Sequence, residues 1–215
     1  MVKWWKNKAN SSSTNKSTLL QKKGAKLMDD ETFADYILKE QDWGRKLEIM
    51  YYLKKRTNIY YNNTVIFKTL IVKLFLEYLQ VYNPEIKLDK NKIITASLLY
   101  ACSKIENSTN ADEVRSYAKR GAEYLSTLGF DDEFCRICEG VNRYTIKENR
   151  TIESDLLELC DQFGGMLLDR PERIGFKPDE AIVLLQYRNL KDVDNKLLPQ
   201  FIDFVNKTEK ITVQN

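Results

Sequence analysis

Residues 65–80 read VIFKTLIVKLFLEYLQ, and this run decides the fold class. Val65, Ile66, Leu70, Leu74, Phe75, Tyr78 and Leu79 recur at three- and four-residue intervals, so the spacing predicts a helix with one broad apolar face, buried in a core. Upstream, DETFADYILKEQDWGRKLEIMYYLKKRTN (30–58) repeats the pattern with Phe33, Tyr36 and Ile37, then Leu47, Met50, Tyr51 and Leu53, and Gly44 is the expected break between two helices. Downstream, Pro84 marks a turn and Asp89 is the expected N-cap of KNKIITASLLYACSKI (90–105). A polar loop at Asn107 to Asp112 precedes a helix that ends in the Leu128-Gly129-Phe130 turn, and Asp131, Asp132 and Glu133 open the next. ESDLLELCDQFGGML (153–167) follows. Pro178 sits in the first turn of a helix over AIVLLQYRN (181–189), and LLPQFIDFVNK (197–207) is the last apolar run. No stretch alternates with period two for long enough to demand a sheet. The expected class is all-α, a single compact helical bundle over residues 29–215.

Composition agrees and also excludes. Of 215 residues, 43% are apolar and 30% charged, with only 8 Gly and 4 Pro, which suits a helix-rich chain with a sizeable core. There is no histidine, so His general-base catalysis, Ser-His or Cys-His nucleophile activation and every His-ligated metal site are excluded together. Seven lysines (Lys3, Lys6, Lys8, Lys16, Lys22, Lys23, Lys26) and no acid fall in residues 1–28, leaving 27 basic against 31 acidic residues in the rest. An acidic body argues against a broad nucleic-acid surface, which needs clustered Lys and Arg. The leader, KNKANSSSTNKSTLLQKKGAK over 6–26, has the composition of a disordered basic segment. Trp4 and Trp5 beside the leader lysines make a weak membrane-surface contact conceivable, against the simpler reading of a solubilising terminus. With no apolar run of transmembrane length and no signal-type apolar region, the expected compartment is the cytoplasm.

Five segments in order carry a resemblance: ASLLYACSKI (96–105), YAKRGAEYLSTLGF (117–130), an apolar helix with Asn142-Arg143, LLELCDQFGGMLLDRPER (156–173), and Pro178-Asp179-Glu180-Ala181. In order and approximate spacing they resemble the HD-domain phosphohydrolase superfamily, its HD-GYP branch most, over roughly residues 50–205. The resemblance implies the fold, and it implies a metal site of His and Asp ligands at which divalent ions activate water against a phosphoester. Position by position, this chain departs from that site. The leading His falls at Asn63 or Thr64, the His-Asp doublet at Tyr100-Ala101, a further His at Tyr117, and the paired His near Gly140-Val141. Asp161 and the doublet's trailing Lys104 remain, and Tyr144-Thr145-Ile146-Lys147 stands where Gly-Tyr-Pro would be. One carboxylate cannot hold a catalytic divalent ion, so neither a metal nor another cofactor is expected.

The function expected from this is a catalytically inactive HD-like domain serving as a binding or regulatory module, its partner another protein. The second reading is a non-hydrolysing receptor for a nucleotide or cyclic dinucleotide in the vacated pocket, through Asp161, Lys104, Tyr100, Tyr117, Arg143 and Arg170. A third, a residual phosphohydrolase, needs Asp161 with Glu123 and cysteine thiolates. Within the pocket Asp161 is expected to pair with Lys104 or to accept from the Tyr100 or Tyr117 hydroxyl, because a buried carboxylate must be satisfied. Cys135 and Cys138 form a CxxC, and with Cys102 and Cys160 a zinc site is conceivable, but the pair lies in an apolar helix rather than on a turn, and reduced buried thiols are the expectation. Tyr51, Tyr52, Tyr60 and Tyr61 crowd one stretch, either as a protein-binding groove or as a core seam with ordinary exposed phenols.

Overall fold

The computed structural model describes residues 31–105, 108, 110–142, 150–192 and 195–213. Among them the chain forms nine helices and no strand: α1 (Phe33–Lys39), α2 (Trp43–Arg56), α3 (Asn63–Tyr82), α4 (Lys90–Leu99), α5 (Ala111–Thr127), α6 (Asp132–Gly140), α7 (Ile152–Leu167), α8 (Pro178–Asp192) and α9 (Leu198–Val213). The first seven each start on a side chain that accepts from their own first turn: Thr32, Asp42, Asn62, Asp89, Asn110, Asp131 and Thr151. Each of these caps stabilises its helix by about 1 kcal/mol. At Thr32 the cap is reciprocal, since Asp35 accepts from the Thr32 backbone in return.

The caps at Asp89 and Asp131 and the Pro178 start agree with the sequence reading. Gly44 does not break the first segment; it is the second residue of α2, and the break falls at Glu40–Asp42, where Asp42 caps. A cap strong enough to start a helix outweighs the modest helix penalty of a glycine in its first turn. The stop after Leu128 is as read: Gly129 takes φ 94°, the left-handed region open to glycine. A Cβ there would come within 2.5 Å of Thr32, so the bare glycine also lets α1 approach this turn.

At the centre α3 packs against α4, α7 and α9, while α4 also meets α1, α6 and α7. Phe75 of α3 meets Phe201 and Phe204 of α9 at 4.9 and 5.3 Å between ring centres, and Phe163 of α7 meets Phe201 at 5.3 Å. These rings join three helices in one apolar cluster. The face of α3 that is buried differs from the expected one. Val65, Phe75, Tyr78 and Leu79 are inside, but Leu70 and Leu74 are exposed and Ile66 is only partly covered, whereas Lys68, Thr69, Ile71, Val72 and Leu76 are buried. A helix apolar nearly all round and covered by three neighbours does not reveal by periodicity which narrow strip stays open. No helix among the described residues is long and apolar enough to cross a membrane.

Candidate functional site

The end of α4 and the start of α3 meet at one recess. Tyr60 leads into α3, which contributes Thr64, Val65 and Lys68; Tyr100, Ala101 and Lys104 follow from α4; α5 adds Tyr117 and α7 adds Asp161. The space enclosed is about 10 Å³ for the centre of a water molecule, room for one water. Counted out through its mouth into open solvent, the recess is about 240 Å³. The backbone makes this meeting possible, since Tyr60 N donates to Cys102 O at 2.7 Å, tying the approach to α3 onto the turn that follows α4.

Asp161 Oδ1 is the hub. Lys68 Nζ lies 2.6 Å from it, and the Tyr100 hydroxyl donates to the same oxygen. Burial raises the Asp161 pKa, but the Lys68 charge, the Lys68 and Tyr100 hydrogen bonds and the more distant Lys104 together hold it below the usual carboxylate range. Burial, then the charge of Asp161, drives the phenols of Tyr100 and Tyr117 well above their ordinary value, so both stay protonated donors. Lys104 lies over the Tyr60 ring, its ammonium 5.2 Å from the centre.

Of the residues singled out in the sequence, Asp161, Lys104, Tyr100 and Tyr117 come together here. The ion-pair partner of Asp161 is Lys68, not Lys104, because Lys68 reaches inward from the buried side of α3 whereas Lys104 stands at the exposed mouth. Of the two phenols considered, the one bonded to Asp161 is Tyr100. Arg170 does not line the recess; it stands beyond the end of α7, half exposed, with Nη2 3.5 Å from Gly165 O and a 4.0 Å approach to Glu172. Arg143 lies outside the described residues, as do Tyr144 to Lys147, Trp4, Trp5 and the leader lysines. Thr64 lines the recess, while Gly140 packs against α7, where a Cβ would come 2.4 Å from Ser154 Oγ. The four tyrosines divide: Tyr51 and Tyr52 are exposed on α2, Tyr60 edges the recess, and Tyr61 is buried.

All four cysteines are buried free thiols. Burial raises the Cys102 pKa to about 12 and that of Cys135 to about 11, and pushes Cys138 and Cys160 well above the ordinary value, so they behave as small apolar groups. No group of three or more Cys, Asp or Glu among the described residues is arranged to hold a metal. Glu123 is exposed on α5 and does not line the recess.

Two features of the site were missed in the sequence. Lys68 carried a signal, since it lies three residues after Val65 and four before Val72, on the buried strip itself. The second is a buried network beside the recess, in which Arg150 reaches Asp155 and Glu158, each at 2.7 Å, and Gln162 donates to Glu158 at 2.8 Å. Glu158 also acts on Tyr117, so this network adjoins the site. Fold and site together define, among the described residues, a helical domain with a recess built from phenols, a hydroxyl, two lysines and a single carboxylate. No family model, curated protein or solved structure matches the chain.

Proposed function

We propose that the chain is a non-catalytic domain of the HD type that works as a binding or regulatory module through protein contacts. The observation that carries this reading is the convergence of Thr64, Tyr100, Ala101, Tyr117 and Asp161, five of the positions matched to the family's metal ligands, around one small recess with Lys104 at its mouth; the paired position at Gly140-Val141 does not line it. Segment order suggested those matches before any geometry was considered, so their meeting in space is an independent support.

The donor set does not fit a divalent ion. The one carboxylate lining the recess already accepts from Lys68 and Tyr100, and an ammonium 2.6 Å from it repels a second cation. The remaining lining groups are phenols, a hydroxyl, apolar side chains and Lys104. Against the receptor reading stands size: sites that bury a nucleotide-sized ligand measure about 300–1,000 Å³, and this recess encloses room for one water. The test is hydrolysis of nucleotides, cyclic dinucleotides and simple phosphodiesters with Mg, Mn, Fe or Zn supplied, run beside a calorimetric titration with the same nucleotides. No turnover above background and no binding heat are expected. Metal-dependent turnover lost in Asp161→Ala would overturn the non-catalytic reading, and saturable nucleotide heat would favour the receptor.

A further inference from the structure

We infer that the outer face of α2 is an interaction surface for a protein partner, which meets it with an acidic segment carrying an apolar side chain between its carboxylates. This rests on the protein-contact reading above, gives it a surface and a partner chemistry, and makes no use of the recess.

α2 is held to the domain along a narrow strip. Of its 14 residues only Lys46, Met50 and Leu53 are buried, spaced as neighbours on one side of a helix. Glu48, Tyr51, Tyr52 and Lys55, at i, i+3, i+4 and i+7, share the opposite side, and all four are exposed. A solvated helix face is expected to be polar, yet this one carries two adjacent phenol rings, 52% and 48% exposed, neither of which belongs to the core cluster. Their centres lie 6.3 Å apart in an edge-on arrangement, and Lys55 Nζ sits 4.6 Å over the Tyr51 ring, so part of the contact area is ordered before anything binds. Tyrosine offers such area with few torsions to fix, which suits a protein interface.

Charge selects the partner. Arg45 and Glu48 neutralise each other at 2.7 Å in the first half of the face. In the last turn Lys54 donates to Tyr61 O and Lys55 lies on a ring, and among the described residues neither ammonium pairs with a carboxylate. The tyrosines are therefore bounded by a neutral pair on one side and by positive charge on the other, and carboxylates complement the second. A nucleic-acid strand fits less well. A phosphate track along the rings passes Glu48, within one turn of both, and beyond residue 28 the chain has 27 bases against 31 acids, without the wide basic footprint such a strand needs.

The experiment uses the full chain and, as probe, a labelled peptide rich in Asp and Glu around a central Leu-Phe. Anisotropy reads its binding, and the NMR signals of fluorotyrosine incorporated in the protein read its position. Binding is expected below about 1 mM at low salt, weakening as salt is added, and an Asn/Gln counterpart should not bind. Lys55→Gln, and Tyr51→Ala with Tyr52→Ala, should each weaken it by about fivefold or more while urea midpoints stay near wild type, because these side chains are exposed. The signals that shift should be those assigned to Tyr51 and Tyr52 by Tyr51→Phe and Tyr52→Phe. Equal binding by the variants, shifts confined to Tyr60 and Tyr117, or no binding of the acidic peptide would overturn the inference. So would tighter binding of an oligothymidylate, which would make the partner a nucleic acid, or self-association lost in the double tyrosine variant, which would put a second copy on this face. Failure of peptide binding sinks this inference alone, whereas metal-dependent hydrolysis sinks the non-catalytic reading and leaves the α2 surface standing.

Discussion

Replacing Lys46 by Met should change how the stability of the protein depends on pH. Lys46 is 1% exposed, one of the largest fully buried side chains. Its Nζ donates to Ile37 O at 2.6 Å, near the end of α1, and to Thr95 Oγ1 of α4 at 2.7 Å, so it ties α2 to two other helices through neutral acceptors. Among the described residues no carboxylate pairs with it; Glu40 and Asp89 attract it from further away, and burial lowers its pKa from 10.5 to about 8. Between about pH 8 and 10.5 the unfolded chain therefore keeps a proton that the folded chain has released, and stability gains with rising pH across that window. At 1.36 kcal/mol per pH unit, the gain by pH 9.5 is about 2 kcal/mol. The buried thiols act in the opposite direction, since their folded pKa values are raised and they lose stability as pH climbs past the ordinary thiol range. They are common to both chains and cancel when Lys46→Met is subtracted from wild type. At pH 7 the variant is relieved of a buried charge but leaves Ile37 O and Thr95 Oγ1 without their donor, a cost of about 1–3 kcal/mol, so the two chains should lie close. Urea denaturation of both at pH 7.0, 8.0 and 9.5 should show wild type pulling ahead by about 2 kcal/mol between the first and last. A difference that stays constant across this range would refute the reasoning and show that water reaches the amine in the folded state.

Gly129→Ala should cost about 2 kcal/mol or more in urea denaturation, because φ 94° strains an L side chain and its Cβ would meet Thr32 at 2.5 Å; a loss under about 0.5 kcal/mol would show that α1 yields without penalty. Lys68→Met should cost about 2–4 kcal/mol by leaving Asp161 without its ammonium, and adding Asp161→Leu should recover most of that; additive losses in the double variant would mean that the pair is not coupled. The triple change Tyr100→His, Ala101→Asp and Tyr117→His should destabilise by about 3 kcal/mol or more and restore no hydrolysis, since it removes two packed rings and adds a carboxylate near Asp161; stabilisation by added Mn would show instead that the recess can be reopened to a metal.

The fold class was legible because it rests on features that are local in sequence. The helix over 65–80, the Asp89 and Asp131 caps and the Gly129 stop each need only a few neighbouring residues to act, and each forms as read, although the face read as buried in 65–80 is not the one the core covers. Gly44 was misread because a glycine advertises a break while the cap that makes it, Asp42, looks like any surface acid until its neighbours are helical. At the site, Asp161, Tyr100, Tyr117 and Lys104 were singled out through segment order, and the fold brings these four together. Lys68 and Lys46 were not, and for one reason: both stand on core strips, Lys68 between Val65 and Val72, Lys46 four residues before Met50 and seven before Leu53. A lysine is assigned to solvent by default, and only the partner across the core, Asp161 in one case and Thr95 in the other, overrides that default. Those partners lie 93 and 49 residues away, a separation that no local pattern carries.

On the proposed reading, the same substitutions that remove the chemistry also explain how the domain stays folded without it. A carboxylate on α7 facing α3 needs a counter-charge, and a bound ion supplies one only while the ion is present. Lys68 supplies it from within the chain, on a tether, and the Tyr100 hydroxyl donates to the same oxygen. The central packing, in which α3 meets α7 and Phe75 and Phe163 both pack on Phe201 of α9, is on this reading independent of a bound ion. On this reading the lysine on the buried face of α3 both satisfies Asp161 and bars a divalent cation from it.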